Sequence, residues 1–262
     1  MPERGRGVWL PVGVLLGTLV AWEVVWRVFN LPRFVVPLPS GILAEGWQWR
    51  GYLLFHAWVT LYETLGGFAL SIAVGTPLAV ALVYSPTLKT ALYPLLVVTQ
   101  AIPKVAIAPV LLLLLGAGEV SKIVVAFLVA FFPIVVDTAT GLAATPPELL
   151  DLSRSYRASA ARTFVKVRFP MALPFFFSGL KVAVTLAVIG AVVGEFVGSD
   201  RGLGYVIVSA TSYWKSNLAF AAMLLLAAMA VALFALVELC ERLVCPWYAV
   251  ARERAEPAAE PE

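Results

Sequence analysis

The chain has 262 residues, of which 61% are hydrophobic and 13% charged, with a mean hydropathy of +0.91 and a formal net charge of +3. A soluble domain is about 45–50% apolar and about a quarter charged, so these proportions place the chain in a lipid bilayer and give nucleic-acid binding no support. The single histidine, His56, argues against a His-based metal or catalytic site, and the spacing of Cys240 and Cys245 fits neither a zinc site nor a disulfide framework.

Apolar runs of about 18 residues or more read as membrane spans. Six occur, at residues 8–29, 60–84, 92–115, 121–140, 172–198 and 217–245. The first follows MPERGRG but exceeds the roughly 7–15 residues of a signal-peptide core, and no small-x-small cleavage pattern follows it. Trp9, Trp22 and Trp26 suit a retained helix. Residues 30–56 form the longest connection, rich in Pro, Gly and Trp, with a short interfacial helix expected near 42–49. The third span carries Pro94, Pro103 and Pro109, and the fourth Pro133. Such prolines are tolerated where neighbours or water satisfy the freed carbonyls.

Small residues recur every fourth position in the second span (Gly67, Ser71, Gly75, Ala79) and in the fifth (Gly179, Ala183, Ala187, Ala191), with Gly190, Gly194 and Gly198 on a second stripe. Such stripes let helix backbones approach closely. They fit packing within one subunit or a seam between two copies. With both termini inside, eleven Lys and Arg fall on the inner side and six on the outer. That bias obeys the positive-inside rule and puts residues 148–170 in the cytoplasm. The expected fold is an all-α integral membrane protein of about six transmembrane helices. Residues 1–56 hold the first helix and the outer connection, 57–245 the transmembrane body, and 246–262 a polar cytoplasmic tail.

Between the fourth and fifth spans the chain reads ELLDLSRSYRASAARTFVKVRFPMALP, with two acids against five bases between Glu148 and Arg168. At a helical period, Leu149, Leu152, Tyr156, Ala160, Phe164 and Val167 fall on one stripe, with the bases and Asp151 outside it. An amphipathic, basic segment on one aqueous face of a membrane protein suits a soluble partner. It resembles the coupling motif of type I ABC-transporter permeases, whose pattern runs E-A-A, three residues, G, nine residues, I, one residue, L-P. Here Asp151, Leu152 and Ser153 stand at E-A-A, Arg157 at the glycine, Val167 at the isoleucine and Phe169-Pro170 at L-P. The runs AIPKVAIAPVLLLLLGAGEVSKI and ALPFFFSGLKVAVTLAVIGAVVGEFVGSDRGLGYVI resemble the subfamily importing nitrate, sulfonates, taurine and thiamine-precursor pyrimidines.

The resemblance implies a cytoplasmic ATP-binding subunit that docks on Glu148, Asp151, Leu152, Ser153, Tyr156, Arg157, Ala158, Phe164, Val167 and Pro170. It also implies an extracytoplasmic substrate-binding protein, a second copy of the chain, and residence in a bacterial inner membrane. The family's glycine permits a sharp bend because glycine reaches positive φ cheaply. Either Arg157 bears a backbone cost there, or the bend is made at negative φ. The chain has no G-x-x-x-x-G-K-[ST] run, so ATP and Mg are expected on the partner, with no cofactor and no metal held here.

A charge near mid-bilayer costs about 2.5–3.5 kcal/mol on insertion scales, which singles out the polar residues of the spans. Gln100, Pro103, Lys104 and Glu195 are candidates for the translocation pathway. Lys104 reads equally as a cavity-lining base or as a lysine that snorkels or caps carbonyls freed by the prolines. Glu195 lines an outer gate or pairs with Arg201 or Lys215. Glu23 and Arg27 form an i,i+4 pair. Glu63, Glu119 and Asp137 are expected as solvated carboxylates near helix ends, and Lys181 as a lysine reaching the cytoplasmic interface. The reading is the non-catalytic permease subunit of an ATP-driven importer for a small polar solute, a pyrimidine-type vitamin precursor or nitrate, sulfonate or taurine. The alternative is a carrier driven by an ion gradient. A membrane enzyme lacks a plausible catalytic cluster.

Overall fold

The computed structural model describes residues 6–29 and 37–248, and every regular element among them is helical. Arg4, Arg33, Arg252, Arg254 and most of the expected tail lie outside the described residues. Four helices are long and apolar enough to cross a membrane: Arg50–Tyr84, Glu119–Ala143, Ala160–Gly198 and Ser216–Val244. Contacts divide the chain into residues 1–59 with 200–227, and residues 60–199 with 228–262.

The first unit contains α1 (Arg6–Val28), α2 (Pro39–Gln48), the start of α3 (Arg50–Tyr84), α10 (Leu203–Ser212) and the start of α11 (Ser216–Val244). Its core joins Ile42, Leu53, Leu203, Val206 and Ala219. Helix α2 is the short helix expected near 42–49, and it begins at Pro39 because proline's missing N–H is no loss in a first turn. Arg27 pairs with Glu23 at 2.6 Å, as their spacing predicts. Ser40 Oγ also donates to Glu23 at 2.7 Å and ties α2 to α1. The one histidine is structural, since His56 Nδ1 accepts the Gly202 N–H at 3.0 Å in a buried setting. Helix α10 was not anticipated, because its ten residues fall between the fifth and sixth apolar runs and are too few for a span.

The second unit holds the rest of α3 and α11, with α4 (Pro86–Ala101), α5 (Lys104–Leu115), α6 (Glu119–Ala143), α7 (Pro147–Ser155), α8 (Ala160–Thr163), a π-helical turn (Phe164–Arg168) and α9 (Phe169–Gly198). Helices α6 and α9 run antiparallel along their whole length. A Cβ on Gly141 would lie 3.0 Å from Ala172 O, one on Gly190 2.6 Å from Ala126 Cα, and one on Gly194 3.1 Å from Lys122 Cα. Helix α6 also meets the stripe of α3, where Cβ atoms on Gly67 and Gly75 would run into Phe127 N and Ile134. The small-residue stripes therefore close on α6 inside one subunit, where backbone proximity maximises dispersion contacts.

Two expectations are corrected. The third span is not one helix but α4 and α5, separated at Ile102 and Pro103. A residue before proline is driven out of the helical region, and Ile102 is extended at φ −74°, ψ 122°. Lys181 does not reach for the interface. It pairs with Glu241 of α11 at 2.7 Å, the two side chains only 17% and 12% exposed.

Candidate functional site: the segment between α6 and α9

Helix α7 opens with Pro147 in its first turn and Glu148 beside the unsatisfied N–H groups, and it carries Arg154 in its last turn. Both charges oppose the helix dipole favourably. Its apolar residues face outward: Leu149 is 36% exposed, Leu152 53% and Tyr156 79%. Asp151 and Arg154 form an exposed pair at 2.9 Å, and the Ser153 hydroxyl bonds back to Leu149 O at 2.9 Å. A nine-residue helix with no buried residue is held by its ends rather than by packing.

The C-terminal end is a Schellman closure. Ala158 N–H donates to Ser153 O at 3.0 Å and Arg157 N–H to Arg154 O at 2.8 Å. This geometry needs a left-handed residue, and Arg157 supplies it at φ 50°. Of the two routes open from sequence, the chain takes the costly one. The next helix is capped by Ser159, whose hydroxyl accepts the Arg162 N–H at 3.4 Å, and it runs through the π turn into α9.

The bend divides the single apolar stripe expected from the period. Leu149, Leu152 and Tyr156 stay on the exposed α7. Phe164 turns inward, 6.1 Å from the Tyr84 ring and 5.8 Å from Phe169. Val167, Pro170 and Ala158 are half-buried, while Glu148, Asp151 and Arg157 are exposed. The period failed because one left-handed residue resets the helical phase.

The four pathway candidates fall in two places. Gln100 is the penultimate residue of α4, Pro103 is the exposed cap of α5 and Lys104 is its first residue. The side chains of Gln100 and Lys104 lie outside the described set. Glu195 is 1% exposed near the end of α9 and accepts the Thr60 hydroxyl at 2.6 Å.

Beside Glu195 is a cluster that the sequence reading missed. Glu63, expected as a solvated carboxylate, is fully buried against the Glu195 carboxyl and 3.3 Å from Lys122 Nζ. Lys122, counted among the outer bases, is 2% exposed and donates to Ser199 Oγ at 2.6 Å. A usable signal existed. Glu63 lies four residues before Gly67, Glu195 four after Ala191 and Lys122 four before Ala126. Glu63 and Glu195 therefore extend the small-residue stripes of their helices, and Lys122 sits one turn from the buried Ala126, so each shares a buried face.

The family described as binding-protein-dependent transport system inner membrane component matches residues 69–249. The riboflavin transport system permease protein RibX of Chloroflexus aurantiacus is 37% identical over 242 residues, 92% of this chain and 90% of that protein. The formylaminopyrimidine transport permease protein ThiX of Halalkalibacterium halodurans is 34% identical over 238 residues, 90% of this chain and 95% of that one. A solved structure of the MetNI methionine ABC transporter in inward-facing conformations superposes with a TM-score of 0.65 at 21% identity. It covers 74% of this chain and 96% of the matched chain, a likeness of fold.

Proposed function

The chain belongs to the family of binding-protein-dependent transport system inner-membrane components and is a permease, and from that premise we propose that α7 is the surface on which a cytoplasmic ATP-binding subunit docks. One observation carries this reading. A short amphipathic helix with no buried residue of its own presents Leu149, Leu152 and Tyr156 outward, at the spacing of the coupling motif, and is closed by a bend at the motif's glycine position. Exposed apolar side chains on an otherwise polar segment favour burial against a partner, and the neighbouring bases set the docking register.

In this reading Phe164, Val167 and Pro170 brace the segment from beneath while Glu148, Asp151, Ser153, Arg157 and Ala158 shape its rim. Two copies of the chain enclose the pathway, and closure of two ATP-binding subunits rocks them between inward-open and outward-open states. ATP hydrolysis belongs to the partner, both termini are cytoplasmic, and an extracytoplasmic binding protein delivers the solute. RibX and ThiX point to a heteroaromatic vitamin or vitamin precursor as that solute. Residues 57–245 act as the transport domain, and the break between α4 and α5 at Pro103 lines the pathway.

The test is capture of the ATP-binding subunit by the full chain. Leu152→Glu with Tyr156→Glu is expected to weaken capture at least about tenfold, since each change removes a buried apolar contact of about 1.5–3 kcal/mol. Undiminished capture overturns the assignment. Uptake into reconstituted vesicles that needs a proton or sodium gradient but no ATP would place the chain among gradient-driven carriers instead.

A further inference from the structure

Beneath the π turn lies a cavity of about 450 Å³. Its walls include Val80 and Ala81 of α3, Leu142 of α6, and Phe164, Phe169 and Leu173. It is within the size range of small-molecule sites, about 300–1,000 Å³. Its surface is almost wholly apolar, because the hydroxyls of Thr76 and Thr138 are buried behind it. Such a space suits hydrocarbon.

The rim carries charge. Arg168 lies one turn beyond Phe164 and next to Phe169, both wall residues. Its guanidinium stands 5.3 Å from the centre of the Tyr84 ring. Tyr84 lies one turn beyond Val80 and packs on Phe164. The cation is thus held where the apolar wall ends. Arg162 and Lys166 are exposed on the same stretch, and among the described residues no carboxylate pairs with any of the three. Here α3 and α6 end and α9 begins, the level at which membrane helices meet headgroups.

We propose that this cavity and its basic rim bind an anionic phospholipid, with one acyl chain under Phe164 and the phosphate against Arg168. A tail filling the cavity gains little by itself, because the lipid it leaves is equally apolar. Selectivity therefore comes from the headgroup. The guanidinium fork matches phosphate oxygens, and three cations with no acidic partner favour a lipid of net charge −1 over a zwitterionic one. Each base near an anionic headgroup contributes roughly a fivefold preference. Phe164 roofs the cavity and follows the bend that ends α7, so an occupied site stiffens the docking element. That consequence rests on the function proposed above; the lipid site itself does not.

The experiment uses the full chain in phosphatidylcholine vesicles with trace spin-labelled phosphatidylglycerol or phosphatidylcholine, and reads the motionally restricted fraction of each label. Wild type is expected to prefer phosphatidylglycerol by about fivefold or more. Arg168→Gln should lower the preference about fivefold, Arg168→Lys should keep most of it, and Ala81→Phe should lower it by filling the cavity while leaving every charge in place. Equal restriction of both labels in wild type overturns the proposal. So does a preference that neither Arg168→Gln nor Ala81→Phe alters. If a second copy or the ATP-binding subunit covers the cavity instead, adding it abolishes the restricted phosphatidylglycerol, which also overturns the proposal. The assay needs neither ATP nor a partner, so its failure leaves docking on α7 standing, and a failed capture experiment leaves this result readable.

Discussion

Replacing Arg157 with glycine should stabilise the bend after α7. An L-residue in the left-handed region costs roughly 1–2 kcal/mol, and Arg157 sits there at φ 50°. Glycine escapes that cost but loses about 0.5–1 kcal/mol more backbone entropy on ordering. The balance favours Arg157→Gly by about 0.5–1 kcal/mol, or about two- to fivefold in the local opening equilibrium. The side chain contributes little against this, since it is exposed and makes no ion pair among the described residues. The readout is hydrogen–deuterium exchange of the Ala158 amide, whose bond to Ser153 O at 3.0 Å exists only while the bend is closed. Exchange should slow about two- to fivefold in Arg157→Gly and quicken in Arg157→Val, because a β-branched residue is a poor fit at positive φ. Unchanged or faster exchange in the glycine variant, or an indifferent valine variant, would refute the strain argument.

Lys122→Met strands Glu63 in a buried site, and removing one partner of a buried ion pair costs about 3–5 kcal/mol. The thermal midpoint in detergent should fall by several degrees, and adding Glu63→Gln should recover part of the loss. If Lys122→Met alone matches wild type, the pair at 3.3 Å does not hold these helices together. Gly190→Val puts a side chain where a Cβ alone would lie 2.6 Å from Ala126 Cα, a backbone atom that cannot yield without moving α6. Overpacking of this kind costs about 1–3 kcal/mol or more. Expression and midpoint should both fall, whereas the exposed Ile189→Val on the same helix should be neutral. Equal behaviour of the two would discount the close approach of α6 and α9.

The spans were legible because hydrocarbon selects residues one at a time. A run such as 121–140 needs no knowledge of its neighbours to read as a membrane helix, and it emerges as α6 with a few residues added at each end. The small-residue stripes were also legible, since a helix repeats its faces whatever it packs against, and only the choice of partner was hidden. At Pro103 the break was missed because hydropathy is blind to backbone geometry; the restriction on Ile102 was present in the residues but outweighed by the apolar count. In the candidate site, the motif spacing located α7 and its bend. The assumption of one unbroken helical phase carried Phe164 to the wrong face.

Sequence alone determined that this chain is a helical membrane protein with one polar, amphipathic interruption at 148–168, because burial in lipid and exposure to water act on local composition; its likeness to permeases rested on motif spacing. Folding decided the rest: that Glu63, Lys122 and Glu195 share one interior, that the stripes of α3 and α9 both close on α6, and that an apolar cavity opens beside Arg168. Those outcomes depend on which distant faces meet: each segment marks its own buried face, as the small-residue stripes did, but neither says which other segment will cover it.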